Sequence, residues 1–211
     1  MGEEIRKAAS VIAVREGPEA PEVLILERSP RSRFLPGYVV FPGGAADDAD
    51  ADLAARWFGS QDEAARACAV RELVEETGLL LTSDGLVRGA DLDGMGGREP
   101  AAAQLGELAR WIAPEEVPVR FDARYFTVEA GPDLEPTPDG AEVVAGWWTS
   151  PRELLQEWEA GVRRLYWPTW FTVQALAEAA TARDVLGLRL STREPDDDEL
   201  ERLPRSVFWQ D

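Results

Sequence analysis

No histidine occurs among the 211 residues of the chain. That absence excludes a histidine general base, a serine–histidine nucleophile and zinc held by imidazole. Cysteine is almost as scarce: Cys68 stands alone, so no internal disulfide can form, in keeping with a reducing cytoplasm. Lysine is reduced to Lys7, against 21 arginines, and all the basic residues together are outnumbered by 40 acidic ones, which leaves a formal charge of −18. A surface of that sign repels nucleic acid and anionic membranes, so neither is expected as a partner. Long apolar runs are missing as well. The run from Ala8 to Val14 is too short for a signal-peptide core or a membrane span, and a cytoplasmic protein is expected.

What is present suits a packed globule. Hydrophobic residues make up 45% of the chain and include eight tryptophans, and the length is right for one domain over 1–211. The most informative stretch is Ser60 to Gly78, SQDEAARACAVRELVEETG, which reads as one helix. Ser60 with Glu63 makes a capping box at its entry, and Gly78 supplies the left-handed residue that ends it. Glu72 lies three residues before Glu75 and four before Glu76, and Arg71 lies four before Glu75, so the four side chains leave the helix on one side. Ala67, Val70, Leu73 and Val74 form the stripe that would dock on a sheet, and Cys68 among them reads as a buried structural thiol. Carboxylates this close repel one another, and no lysine is spaced to offset them. A solvated acidic face and a site for a hard cation such as Mg²⁺ or Mn²⁺ both satisfy the spacing.

The run Arg71-Glu72-Leu73-Val74-Glu75-Glu76-Thr77-Gly78-Leu79 resembles the second half of the Nudix box. That signature is written Gly, five residues, Glu, seven residues, Arg-Glu-apolar-any-Glu-Glu-any-Gly-apolar. Glu63 stands where the first glutamate belongs, but Trp57 occupies the place of the glycine. The equivalent glycine is Gly44, separated from Glu63 by 18 residues instead of five, so 13 residues are inserted. The resemblance implies an α/β Nudix fold, an α/β/α sandwich with a mixed central sheet and a helical insertion over 45–59. It further implies Mg²⁺ or Mn²⁺ held by Glu72, Glu75, Glu76 and the Gly44 carbonyl, with Arg71 paired to a box glutamate. Glu75 is then the first choice of general base. Glu142, where the family often carries an additional acidic residue, is the second. Glu63 is read as mainly structural.

A second resemblance covers Arg28 to Gly44. Arg28, Ser29, Arg33, Gly37, Val39 and Phe41-Pro42-Gly43-Gly44 fall in place with the signature of coenzyme A diphosphatases, whereas Leu26, Ser32 and Leu35 depart from it. Arginine forks suit phosphate oxygens, so Arg28 and Arg33 are candidate substrate-binding residues, preferred to the alternative that Arg28, Arg31 and Arg33 merely solubilise a loop. Arg124, following the similar Arg120-Phe121-Asp122, either reaches the substrate or pairs with nearby acids. The resemblance implies a small-molecule nucleotide substrate, coenzyme A or an acyl derivative first, ADP-ribose or NADH next, and by analogy a homodimer. A nucleotide sensor without catalysis is the reading from another class.

Other expectations follow from pattern alone. Strands are expected over Lys7 to Arg15 and Glu22 to Arg28, the pair forming a sheet edge, and again over Leu79 to Thr82 and Ala141 to Thr149. Ala101 to Trp111 has helical propensity, but Leu108 to Ala113 could instead be strand. The aspartates Asp47, Asp48, Asp50 and Asp52 read as a solvated loop and helix cap, with Trp57 and Phe58 anchoring the insertion. A helix over Pro151 to Gly161, another from Tyr166 to about Arg183, and a final short helix or tail over 196–211 complete the chain. The aromatics of Tyr166 to Phe171 suit core packing, stacking on a base or an interface.

Overall fold

The structure is a computed structural model that describes residues 5–115 and 120–209. Two long strands, β1 (Arg6–Glu16) and β2 (Pro21–Arg28), each carry four consecutive buried residues, so both of their faces are covered. Short β3 (Val39–Val40) and β4 (Gly43–Ala45) follow, then β7 (Gly106–Ile112), β8 (Phe121–Glu129) and β9 (Val143–Thr149). They form one seven-stranded sheet in the order β3-β2-β1-β8-β7, with β4 also on β1 and β9 on β2. β1 and β8 run parallel, with Ser10 opposite Tyr125, and the other pairs are antiparallel, so the sheet is mixed. β1 and β2 therefore lie inside the sheet and not at its edge. Their flanking partners β8 and β9 come more than 90 residues later, and no local pattern announces such pairing.

The period of two along β1 divides the core. Ala9, Val11 and Ala13 face a cluster built with α1 (Ala49–Phe58) and α2 (Ala64–Thr77). Ile12 and Val14 face another built with α3 (Pro151–Glu159), α4 (Trp167–Leu176), α5 (Ala182–Gly187) and residues that follow α6 (Asp197–Arg202). The result is the expected helix–sheet–helix layering. A separate hairpin, β5 (Leu79–Thr82) with β6 (Gly85–Arg88), continues from α2. Residues 102–104 form only a 3-10 turn before β7, so the 101–113 ambiguity resolves largely as strand. The expected helix from Tyr166 to Arg183 is two helices, because α4 ends at Leu176 and Thr181 opens α5 with its own capping box to Asp184. Asp196 caps α6 in the same way, and positions 210 and 211 of the expected C-terminal segment lie outside the described residues. Among the described residues, no helix is long and apolar enough to cross a membrane.

The metal-box helix begins differently from expectation. Ser60 Oγ accepts from the Asp62 N–H at 3.1 Å, residues 61–63 form a 3-10 turn, and the α-helix proper starts at Ala64. Glu63 does not complete a capping box; its carboxylate takes the guanidinium of Arg66, a charged donor that outcompetes a backbone amide. The other end is as expected: Gly78 sits at φ 63° and returns its N–H to the Val74 carbonyl at 2.9 Å.

Candidate active site

Helix α2 sits on β1 through Ala67, Val70, Leu73 and Val74, all buried, and its adjoining side, with Cys68, Glu72 and Glu76, lies against Gly43 and Gly44 of β4. Arg71 is the hub of that side. Its Nη1 donates to Glu72 Oε1 at 2.7 Å and to Glu75 Oε2 at 3.0 Å, the pairing expected of it. Its Nε and Nη2 donate to the two oxygens of Asp50 at 2.9 and 3.0 Å, and Nη2 also reaches the Ala45 carbonyl at 3.1 Å. Asp50 is fully buried, 0% exposed, contrary to the solvated role expected for the insertion's aspartates. Its partner lies 21 residues away, beyond any local signal.

Glu76 is buried, at 4% exposed, with Oε2 accepting from the Gly43 N–H at 2.9 Å and Oε1 left without any hydrogen-bond partner. Burial pushes its carboxyl up to about 8, against the opposing pull of the Gly43 amide and Arg28. Burial also raises Glu72, which outweighs the contact with Arg71. Gly44 lies so near Glu72 that a Cβ placed there would stand 2.5 Å from Oε1. Cys68 donates its thiol to the Gly44 carbonyl at 3.7 Å, and burial holds that thiol in its protonated form. Among the described residues, no three acidic or cysteine side chains stand in chelating geometry, because Arg71 draws Glu72 and Glu75 while Gly43 holds Glu76. The donors nonetheless fit a hard divalent cation. They are carboxylate oxygens, and one of them is buried and orphaned, a state that a cation would relieve.

These groups form one end of a cleft of about 1110 Å³. Arg28 lines it and donates from Nε to the Phe34 carbonyl at 3.0 Å. Glu142 lines it too, just before β9, on a turn whose 141–143 amides converge on the Asp139 carboxylate. Asp139 is partly desolvated, which raises its carboxyl, but those amides hold it below the ordinary range. Arg33 is exposed and takes no part in the cleft wall. Arg124 lies on another surface beside Glu107, 3.8 Å away, and Arg120 donates to the Ala113 carbonyl; neither lines the cleft. Of the expected substrate arginines, the fold brings only Arg28 to the carboxylates.

Aromatic side chains line the cleft as well, and Tyr166 and Trp167 among them belong to the run for which core packing, base stacking and an interface are all open. Phe34, Trp111, Phe121, Tyr166 and Trp167 make up this lining, together with Leu200 and Trp209 from the C-terminal segment. Leu200 and Trp209 remain 45% and 41% exposed, a large apolar surface open to a ligand. Trp167 also stacks on Trp170 in the core, with ring centroids 5.2 Å apart, so this aromatic cluster serves packing and cleft at once.

Comparison with known proteins agrees with the layering and with the box. The NUDIX domain profile matches residues 4–171. A Caenorhabditis elegans protein numbered 7 in its nudix hydrolase series is 29% identical over 191 residues, which cover 82% of this chain and 61% of that protein. The acyl-coenzyme A diphosphatase NUDT19 of Homo sapiens is 26% identical over 239 residues, which cover 79% of this chain and 63% of that one. The chain thus spans less than two thirds of the length of either relative. Among solved structures, a NUDIX hydrolase from Alicyclobacillus acidocaldarius superposes with a TM-score of 0.79 at 30% identity, covering 91% of this chain and 100% of its own.

Proposed function

The chain belongs to the NUDIX domain family, and from that premise we propose that it is a Mg²⁺- or Mn²⁺-dependent diphosphatase acting on coenzyme A or its acyl derivatives. The products would be 3′,5′-ADP and phosphopantetheine or its acylated form. One observation supports the choice of substrate: the cleft that holds the carboxylates, about 1110 Å³ in all, is larger than a diphosphate requires and is also lined by a set of aromatic and apolar side chains. A substrate with a charged centre and an extended tail matches such a lining, whose apolar part desolvates the tail. The name of the human relative supports the same class.

In this reading Glu72, Glu75, Glu76 and the Gly44 carbonyl hold the cation. A bound Mg²⁺ or Mn²⁺ supplies charge neutralisation at the phosphoryl oxygens and acidifies a coordinated water. Arg71 restrains Glu72 and Glu75 from one side. Glu75, 55% exposed in its side chain and bonded to Arg71 Nη1 through Oε2, is the first choice to take the proton of the attacking water, with Glu142, which also lines the cleft, as the second. Arg28 faces the same end and would steady a phosphate. Nothing in this scheme needs imidazole, consistent with a chain that has none.

The test is product analysis after incubating the protein and Mg²⁺ with coenzyme A, an acyl-coenzyme A, ADP-ribose and NADH. Release of 3′,5′-ADP supports the proposal. Release of AMP alone would keep the hydrolysis but remove this substrate, and tight nucleotide binding without turnover would favour a sensor.

A further inference from the structure

We infer that Asp50, contributed by the 13-residue insertion, is a positioning residue that holds Arg71 in the orientation by which it restrains Glu72 and Glu75. The inference rests on the cation-holding role proposed for those glutamates and adds to it the means by which they are set.

The donors of Arg71 are divided by destination. Nε and Nη2 meet both Asp50 oxygens and the Ala45 carbonyl of the insertion, with Nη2 also reaching Cys68 Sγ at 3.6 Å, while Nη1 goes to Glu72 and Glu75. A two-point fork fixes the plane of a guanidinium, so fixing the Asp50 side decides where Nη1 points. Asp50 is itself fixed, because its Oδ2 also accepts from the Asp47 N–H at 2.8 Å. Glu63, the acidic residue at the box position, is committed elsewhere. It pairs with Arg66, whose guanidinium lies over the Phe126 ring at 5.1 Å, on a different part of the helix from Arg71. The insertion therefore supplies an acid that the box glutamate does not.

Fastening the insertion to the body does not by itself require this pair. Ala54 and Trp57 already bury α1 in the core cluster it shares with α2, and a buried ion pair is often no more stabilising than well-packed apolar groups.

The experiment compares Asp50→Asn, Glu63→Gln, Arg71→Lys and the double variant D50N/R71K. Mn²⁺ affinity is measured by calorimetry, kcat and KM with coenzyme A and Mg²⁺, and melting temperature alongside. The expected result for D50N is a 10- to 100-fold loss of kcat and about 10-fold weaker Mn²⁺ binding, with KM within about twofold. E63Q should leave all three within about twofold. The double variant should be no worse than R71K alone, since Asp50 acts through Arg71. A D50N protein that melts earlier but keeps its Mn²⁺ affinity and kcat overturns the inference, as does additivity in the double variant. Asp50→Glu provides a second test should D50N fail to fold, because it keeps the charge but moves it by one methylene; wild-type Mn²⁺ affinity in that variant would also overturn the inference. If the unmodified protein hydrolyses nothing yet binds Mn²⁺, and D50N weakens that binding, the diphosphatase proposal fails while the role of Asp50 stands.

Discussion

Replacing Gly44 by alanine separates the site from the fold. The added methyl carbon would stand 2.5, 2.6 and 2.7 Å from Glu72 Oε1, Cδ and Oε2. Ordinary carbon contacts lie at about 3.5–4.0 Å, so the carboxylate must retreat by roughly 1 Å. The backbone has no objection, since Gly44 is not among the glycines with positive φ and alanine can adopt its conformation. What yields is the far end of a flexible side chain, so the loss of stability should be about 1 kcal/mol or less. Activity should suffer far more. A misplacement of about 1 Å in a reacting constellation costs on the order of 100-fold, equivalent to about 2.7 kcal/mol in the barrier. Calorimetric melting and Mg²⁺-dependent release of 3′,5′-ADP, measured on the same preparation, give the comparison. Turnover within about threefold of the unmodified protein would show that the position of Glu72 beside Gly44 does not matter to the chemistry.

Glu76 links stability to pH and metal. Its folded carboxyl titrates near 8, above the ordinary glutamate value of 4.5, so its contribution to stability is complete at low pH and is lost as pH rises between those values. In EDTA the melting temperature should therefore fall from pH 5 to pH 8, and added Mg²⁺ should raise it more at pH 8 than at pH 5; an equal rise at both would refute the link. Asp122 behaves in the opposite sense. Arg110, at 2.7 and 2.8 Å, and Lys7 hold its carboxyl below the ordinary range, so it stabilises the fold above pH 4 and loses that contribution as pH falls further. Asp122→Asn should cost about 1–3 kcal/mol at neutral pH in denaturant titration, with a smaller difference in acid. Leu200→Glu places a charge in the apolar end of the cleft. It should lower kcat/KM for a long-chain acyl-coenzyme A at least tenfold while sparing free coenzyme A, and an equal loss for both would argue against a tail-binding chamber.

The residues that could be read from the chain were those whose neighbours are local. The four side chains of Arg71, Glu72, Glu75 and Glu76 are placed by helical spacing, and the stop at Gly78 by its left-handed backbone. Thr181 with Asp184 was equally local, yet the apolar content of α4 concealed the break before it. Asp50 was not legible, because Asp47, Asp48, Asp50 and Asp52 share one composition and only contact with Arg71 sets one of them apart. The interior position of β1 depends on β8, and Arg124 misleads for a related reason: the register of β8 against β7 turns it toward Glu107 and away from the cleft. The aromatic chamber joins residues from 34 to 209, a conjunction that no window along the chain contains.

The two ends of the cleft also come from different stretches of the polypeptide. The anionic end draws on residues 28–76, with Asp139 and Glu142 as later additions, whereas the aromatic end is built mostly from residues 111–209, including a segment past the family match at 171. Substitutions that reshape one need not touch the other. A lineage could therefore alter the aromatic lining largely by drift in the late part of the gene while selection preserves the carboxylates of residues 72–76.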